Sequence, residues 1–212
     1  MTPARALSIG LTLTATAGFI DAVGFIALGG FYTSFMSGNT TQLGTGLATG
    51  LGWALMLPLG LVVLFFTGSF LGSLAAQQSK RWGSPLALVF VVAGIGISLA
   101  QHFAGFPAEQ SMLALAGAAG AQNAVLQPIG AARLGATFVT GTLFAAGQDL
   151  ARTMAGAAPR WRWLQHLLVW GALCAGALFG GLAYGHWGME ALLVPAAIYL
   201  VALVWFAFRP AG

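Results

Sequence analysis

Apolar residues along this 212-residue chain fall into six runs of roughly membrane-crossing length, separated by polar breaks and two shorter, more polar stretches. The runs cover about 6–29, 54–77, 84–102, 108–130, 163–184 and 189–208. Each approaches the ~20 residues that a helix needs to cross the hydrocarbon core. The shorter stretches, about 33–50 and 135–152, have a different character. Residues 37–42 read Ser-Gly-Asn-Thr-Thr-Gln, six non-hydrophobic residues in a row. Such backbone survives at membrane depth only where protein or water surrounds it.

The pattern occurs twice. Gly18-Phe19-Ile20-Asp21-Ala22-Val23 returns as Gly120-Ala121-Gln122-Asn123-Ala124-Val125, and Phe35-Met36-Ser37-Gly38 as Phe138-Val139-Thr140-Gly141. Gly44, Leu47 and Ala48 match Gly147, Leu150 and Ala151. Gly68, Gly72, Leu74 and Ala75 match Gly176, Gly180, Leu182 and Ala183. The offset drifts from 102 through 103 to 108, as expected of an old duplication with small loop insertions. The expected organisation is one membrane domain of two repeats, 1–105 and 106–212. Repeats in apolar chains are an architecture of transporters and channels, with the working site at the repeat interface.

Composition narrows the class. Hydrophobic residues make up 58% of the chain and charged residues 6%, against about 25% charged in soluble domains. Lipid is therefore the expected solvent. The net charge of +4 is spread over loops and points to topology rather than to nucleic acid. The single Cys174 cannot form an internal disulfide. Arg5 ahead of an apolar run resembles a signal peptide, but residues 18–23 belong to the repeat and carry an acid, so a first membrane helix is expected instead.

Charge placement bears on how often the chain crosses. If both short stretches cross, Arg5, Arg152, Arg160, Arg162 and Arg209 lie on one side and Lys80, Arg81 and Arg133 on the other. If both are re-entrant, all eight lie on the cytoplasmic side, as the positive-inside rule prefers. The expected fold is thus all-α, with six transmembrane helices in two inverted three-helix repeats, each with a re-entrant half-helix. Both termini would be cytoplasmic.

Asp21 is the most informative residue. It lies about 15 residues into the first helix, roughly 22 Å along it. An ionised acid at such depth costs about 2.5–3.5 kcal/mol on insertion scales, so it should face the bundle interior. Its repeat-mate Asn123 keeps the shape without the charge. A purely structural role would be served by Asn in both copies, so the single charge suggests proton or cation coupling; a buried acid serving only packing is the plainer alternative. The second element is Ser37-Gly38-Asn39-Thr40 with its counterpart Thr140-Gly141-Thr142. Here the chain is expected to turn at Gly38, with Ser37 or Asn39 capping a half-helix whose positive end points to the midplane. Gln42, Gln122 and Thr137 could line the same cavity. Asp21 and Asn39 are expected to share one site. Asp149 beside Arg152 reads as a surface pair, Arg133 as a topology charge and His166 as an interfacial residue. Gly68/Gly72 and Gly176/Gly180 read as close helix contacts.

The chain has no phosphate-binding G-x-x-x-x-G-K-[ST] loop, no H-E-x-x-H or Cys/His cluster, and no acid to pair with Asp21. Neither an enzyme nor a bound cofactor or metal is expected. At these residues the chain resembles the YoaK-like bacterial membrane proteins, a catalogued domain of unknown function. The resemblance rests on Ala17–Ala22, Phe35–Thr40, Gly120–Ala124 and Thr140–Thr142 in that order, and spans nearly the whole chain. Ser37 stands where the family pattern has Thr, which keeps the hydroxyl. The resemblance implies a bacterial inner-membrane protein and supplies no substrate. From the residues, a secondary transporter of a small polar or anionic solute is expected, with protons as a second partner through Asp21. A passive channel and a non-transporting scaffold or accessory subunit are the alternatives, and a homo-oligomer is left open.

Overall fold

A computed structural model describes residues 3–50, 52, 55–79, 81–125 and 139–208. Among them every regular element is helical. The first half forms α1 (Pro3–Ala27), α2 (Met36–Thr49), α3 (Met56–Gln78) and α4 (Gly83–Phe103). The second forms α5 (Ala108–Ser111), α6 (Leu113–Gln122), α7 (Val139–Met154), α8 (Arg162–Trp187), a 3-10 turn (Gly188–Leu192) and α9 (Leu193–Phe208). Prolines set several of these starts. Pro3, Pro58, Pro85 and Pro195 all sit in first turns, where a missing N–H breaks no helical hydrogen bond.

Four stretches are long and apolar enough to cross a membrane: Leu7–Ala27, Met56–Gln78, Gly83–Phe103 and Arg162–Phe208. The last spans 47 residues. As one straight helix it would reach about 70 Å, more than twice the hydrocarbon thickness. It is instead two helices broken at Gly188, whose φ is 55°. The expected run 108–130 is likewise divided. A turn at Met112 separates α5 from α6, and α6 stops at Gln122.

The two short elements are helices of 14 and 16 residues, about 21 and 24 Å long and short of a full crossing. The start of α2 differs from the sequence expectation. The chain turns not at Gly38 but at Gly29 and Gly30, with φ of 63° and 111°, where Gly30 N–H closes on the Phe25 carbonyl. The helix begins at Met36 after Phe35, with no side-chain cap. Ser37 and Asn39 therefore lie inside its first turn and cap nothing. Gly38 is needed for another reason: a Cβ there would press on the Tyr32 ring at 2.9 Å.

Glycines set the framework. A Cβ on Gly176 would collide with the Ala15 carbonyl, and one on Gly180 with the Phe19 backbone. Gly68 meets the Gly117 carbonyl in the same way, and Gly72 the Ala121 backbone. From the opposite walls, Gly18 abuts the Leu173 carbonyl and Gly120 the Phe65 carbonyl. Ala15, Gly18 and Phe19 match Gly117, Gly120 and Ala121 at the offset of 102, while Phe65, Gly68 and Gly72 match Leu173, Gly176 and Gly180 at 108. The packing is therefore reciprocal: α1 lies on α8, and α6 lies on α3. Side chains beyond hydrogen would separate these backbones, so Gly176→Val or Gly68→Val should cost at least about 1–3 kcal/mol. Gly96→Val, facing open space, should leave the melting temperature of the detergent-solubilised protein unchanged.

Candidate functional site

Asp21 projects from α1 onto the strap that joins α1 to α2. Its Oδ1 accepts from the Thr33 amide at 3.1 Å, the Thr33 hydroxyl at 2.8 Å and the Ser34 amide at 2.7 Å. Its Oδ2 accepts from the Ser34 hydroxyl. Hydrogen bonds to a charged group contribute about 1.5–3 kcal/mol each, so two such donors can offset the ~2.5–3.5 kcal/mol insertion cost of an acid. Thr33 and Ser34 are both buried.

Asn39, fully buried, holds the adjoining residue of the strap. Its Oδ1 accepts from the Tyr32 amide at 3.0 Å and its Nδ2 donates to the Tyr32 carbonyl at 2.7 Å. One carboxyl and one carboxamide thus grip three successive residues. Asp21 and Asn39 meet the same strap, and both spend their polar atoms on it. Gln42, expected to line a cavity, donates to the Gly30 carbonyl at 2.9 Å. Thr40 Oγ1 donates to the Met36 carbonyl, and Ser37 is exposed.

In the second half Gln122 is buried and donates to the Leu13 carbonyl of α1 at 2.9 Å. Asn123 Nδ2 donates back to the Ala119 carbonyl at 3.3 Å. Thr142 is buried, whereas Thr140 and Gly141 are exposed. Residues 126–138, which hold the counterpart of the Thr33–Ser34 strap together with Arg133 and Thr137, lie outside the described residues.

Two features escaped the sequence reading. Asp149 is buried rather than paired at the surface. Its carboxylate meets Arg162 at 2.9 Å, His166 at 3.3 Å and Arg152 at 3.6 Å, which fastens α7 to the start of α8. His166 is thus a partner of an acid, not merely interfacial. The signal was available in the amphipathic pattern of α7, which turns Asp149 toward its neighbour. The second feature is a set of buried polar atoms with no protein partner: Thr14 Oγ1, Ser98 Oγ, Gln101 Oε1 and Tyr199 Oη. Nothing in their spacing marks them, because helix packing alone buries them. An unsatisfied group of this kind costs about 1–3 kcal/mol. No cluster of three or more metal-ligating side chains occurs among the described residues.

The Asp149 clasp makes a graded prediction. Asp149→Asn should destabilise the solubilised protein by about 1–3 kcal/mol, below the figure for fully buried pairs because its arginine partners can rehydrate. Arg162 and Arg152 are 39% and 52% exposed. Arg152→Ala, which removes the longer and more exposed contact, should cost less than Arg162→Ala in thermal unfolding.

Residues 9–205 match a family described as a protein of unknown function (DUF1275). The chain is 35% identical to the UPF0700 transmembrane protein RA0705 of Rhizobium meliloti over 204 residues, covering 93% of this chain and 87% of that protein. It is 25% identical to the UPF0700 transmembrane protein YoaK of Bacillus subtilis over 144 residues, covering 65% of this chain and 64% of that one. No solved structure matches. With its apolar helices and these transmembrane relatives, the chain is an integral membrane protein and belongs to the DUF1275 family.

Proposed function

We propose that this protein is a non-enzymatic secondary transporter of a small hydrogen-bonding solute in the bacterial inner membrane. In this reading six helices cross, α2 and α7 are re-entrant, both termini are cytoplasmic, and the second copy is inverted relative to the first. The observation that carries it is the reciprocal crossing of α1 on α8 and α3 on α6, bridged by Gln122. Each copy then contributes one wall to a shared interior, the arrangement on which repeat-built carriers rest. The unpartnered hydroxyls of Thr14, Ser98 and Tyr199 supply buried hydrogen-bonding capacity.

Asp21 is the coupling group in this scheme, and the Thr33–Ser34 strap is what its charge controls. Four donors converge on the carboxylate, so a proton added there, by removing its charge, weakens all four bonds. Loss of that grip would free the strap ahead of α2.

Two measurements test the reading. In a Cys174→Ser background, cysteines at Thr49 and His186 should be labelled from outside the cell and one at Arg81 from inside; labelling of Arg81→Cys from outside sinks the six-span topology. In proteoliposomes, a pH gradient should drive saturable uptake of a solute found by a broad flux screen. Asp21→Asn should retain fold and insertion while abolishing the pH dependence. Flux that ignores the gradient would assign a passive channel, and no flux across the panel would assign a scaffold.

A further inference from the structure

The third helices of the two halves, α4 and α9, correspond through Pro85 and Pro195, each the third residue of its helix, at an offset of 110. Their surroundings differ. On α4, Ala87, Leu88, Val91 and Ile95 are buried, and the helix packs on α6. Their counterparts Ala197, Ile198, Val201 and Trp205 instead line an open-sided cavity of about 840 Å³ between α9 and α1. Val91 is 1% exposed and Val201 71%. The facing wall comes from Ser8, Ile9, Thr12 and Leu13 of α1.

Side-chain size differs between the two pairs as well. A Cβ on Gly94 would lie 2.8 Å from the Ala118 Cβ and 2.9 Å from the Ala114 carbonyl, so α4 and α6 touch through their smallest residues. The corresponding positions on the other side are Val204, Thr16 and Thr12. Three branched side chains replace one glycine and two alanines, and of the three Thr12 lines the cavity.

We propose that this α1–α9 cavity is a binding site for an amphipathic small molecule with an apolar body and a hydroxyl-type polar end. The volume falls within the ~300–1,000 Å³ range of small-molecule sites. The lining is mostly apolar, and its hydroxyls stand one turn apart on α1 at Ser8 and Thr12. The Thr12 hydroxyl donates to the Ser8 carbonyl at 3.0 Å, so its oxygen still has acceptor capacity for a ligand hydroxyl. Aliphatic and indole surface from α9 would cover the body. The site goes beyond the transport reading, because occupancy needs no flux.

Trp205 supplies the readout. The test uses the full chain in nanodiscs, with 11-bromo-1-undecanol as a quenching probe and 1-bromododecane as its hydroxyl-free control. Quenching of the Trp205 component, defined against Trp205→Phe, should saturate with the alcohol. Ala202→Phe and Ala197→Phe, which fill the cavity from α9, should each weaken it at least about tenfold. Thr12→Val should weaken the alcohol about threefold to tenfold and leave bromododecane unchanged. Quenching that rises in proportion to the probe in the bilayer, or that survives both filling variants in folded protein, would overturn the site and reduce Trp205 to a lipid-facing side chain. An equal response to both probes would overturn the hydroxyl-type polar end. Saturable binding without transport would leave the site standing while removing the carrier function, so the two proposals fail separately.

Discussion

Backbone touching backbone is the constraint on which the rest of this protein depends. In lipid there is no hydrophobic gain from bringing helices together, since acyl chains are as apolar as leucine, and close packing must supply much of the association. Here it does so at crossings where only hydrogen fits: Gly176 and Gly180 against α1, Gly68 and Gly72 against α6. Those crossings fix α1 and α6 in depth and rotation. Through them they also fix the direction in which Asp21 and Gln122 project.

Polar residues are then disposed according to what the crossings leave within reach. Asp21 and Asn39 share the strap at Tyr32–Ser34, Gln42 takes the Gly30 carbonyl, and Asp149 gathers Arg162, His166 and Arg152. Each arrangement satisfies groups that would otherwise be costly at depth. The partnerless atoms of Thr14, Ser98, Gln101 and Tyr199 are the exceptions among the described residues. In a chain that so consistently pairs its polar atoms, they are the places where an outside molecule would change the balance most.

Much of this was legible in the sequence, because hydropathy and repetition are properties of the chain alone. The helices fall close to the six apolar runs, and the small-residue faces at Gly68/Gly72 and Gly176/Gly180 are contacts. That Asp21 lies well along α1 followed from the length of the apolar run. Its partners did not, since Thr33 and Ser34 approach only after the chain reverses at Gly29–Gly30. The capping roles given to Ser37 and Asn39 failed for a related reason: residue type favours a cap, but the helix starts where the strap releases the backbone. Asp149 was misread because one arginine three residues away is visible in sequence, whereas Arg162 and His166 arrive from another helix.

The reciprocal pairing of α1 with α8 and of α3 with α6 bears on how the protein is assembled. When α1 leaves the translocation machinery, the helix that fits it lies some 150 residues further along the chain. Lipid or insertion factors must shelter the exposed small-residue face of α1 until α8 has been inserted. By the same logic neither half is a closed object. Each half keeps one of its close-packing faces for a helix of the other, so neither could bury that face by folding alone.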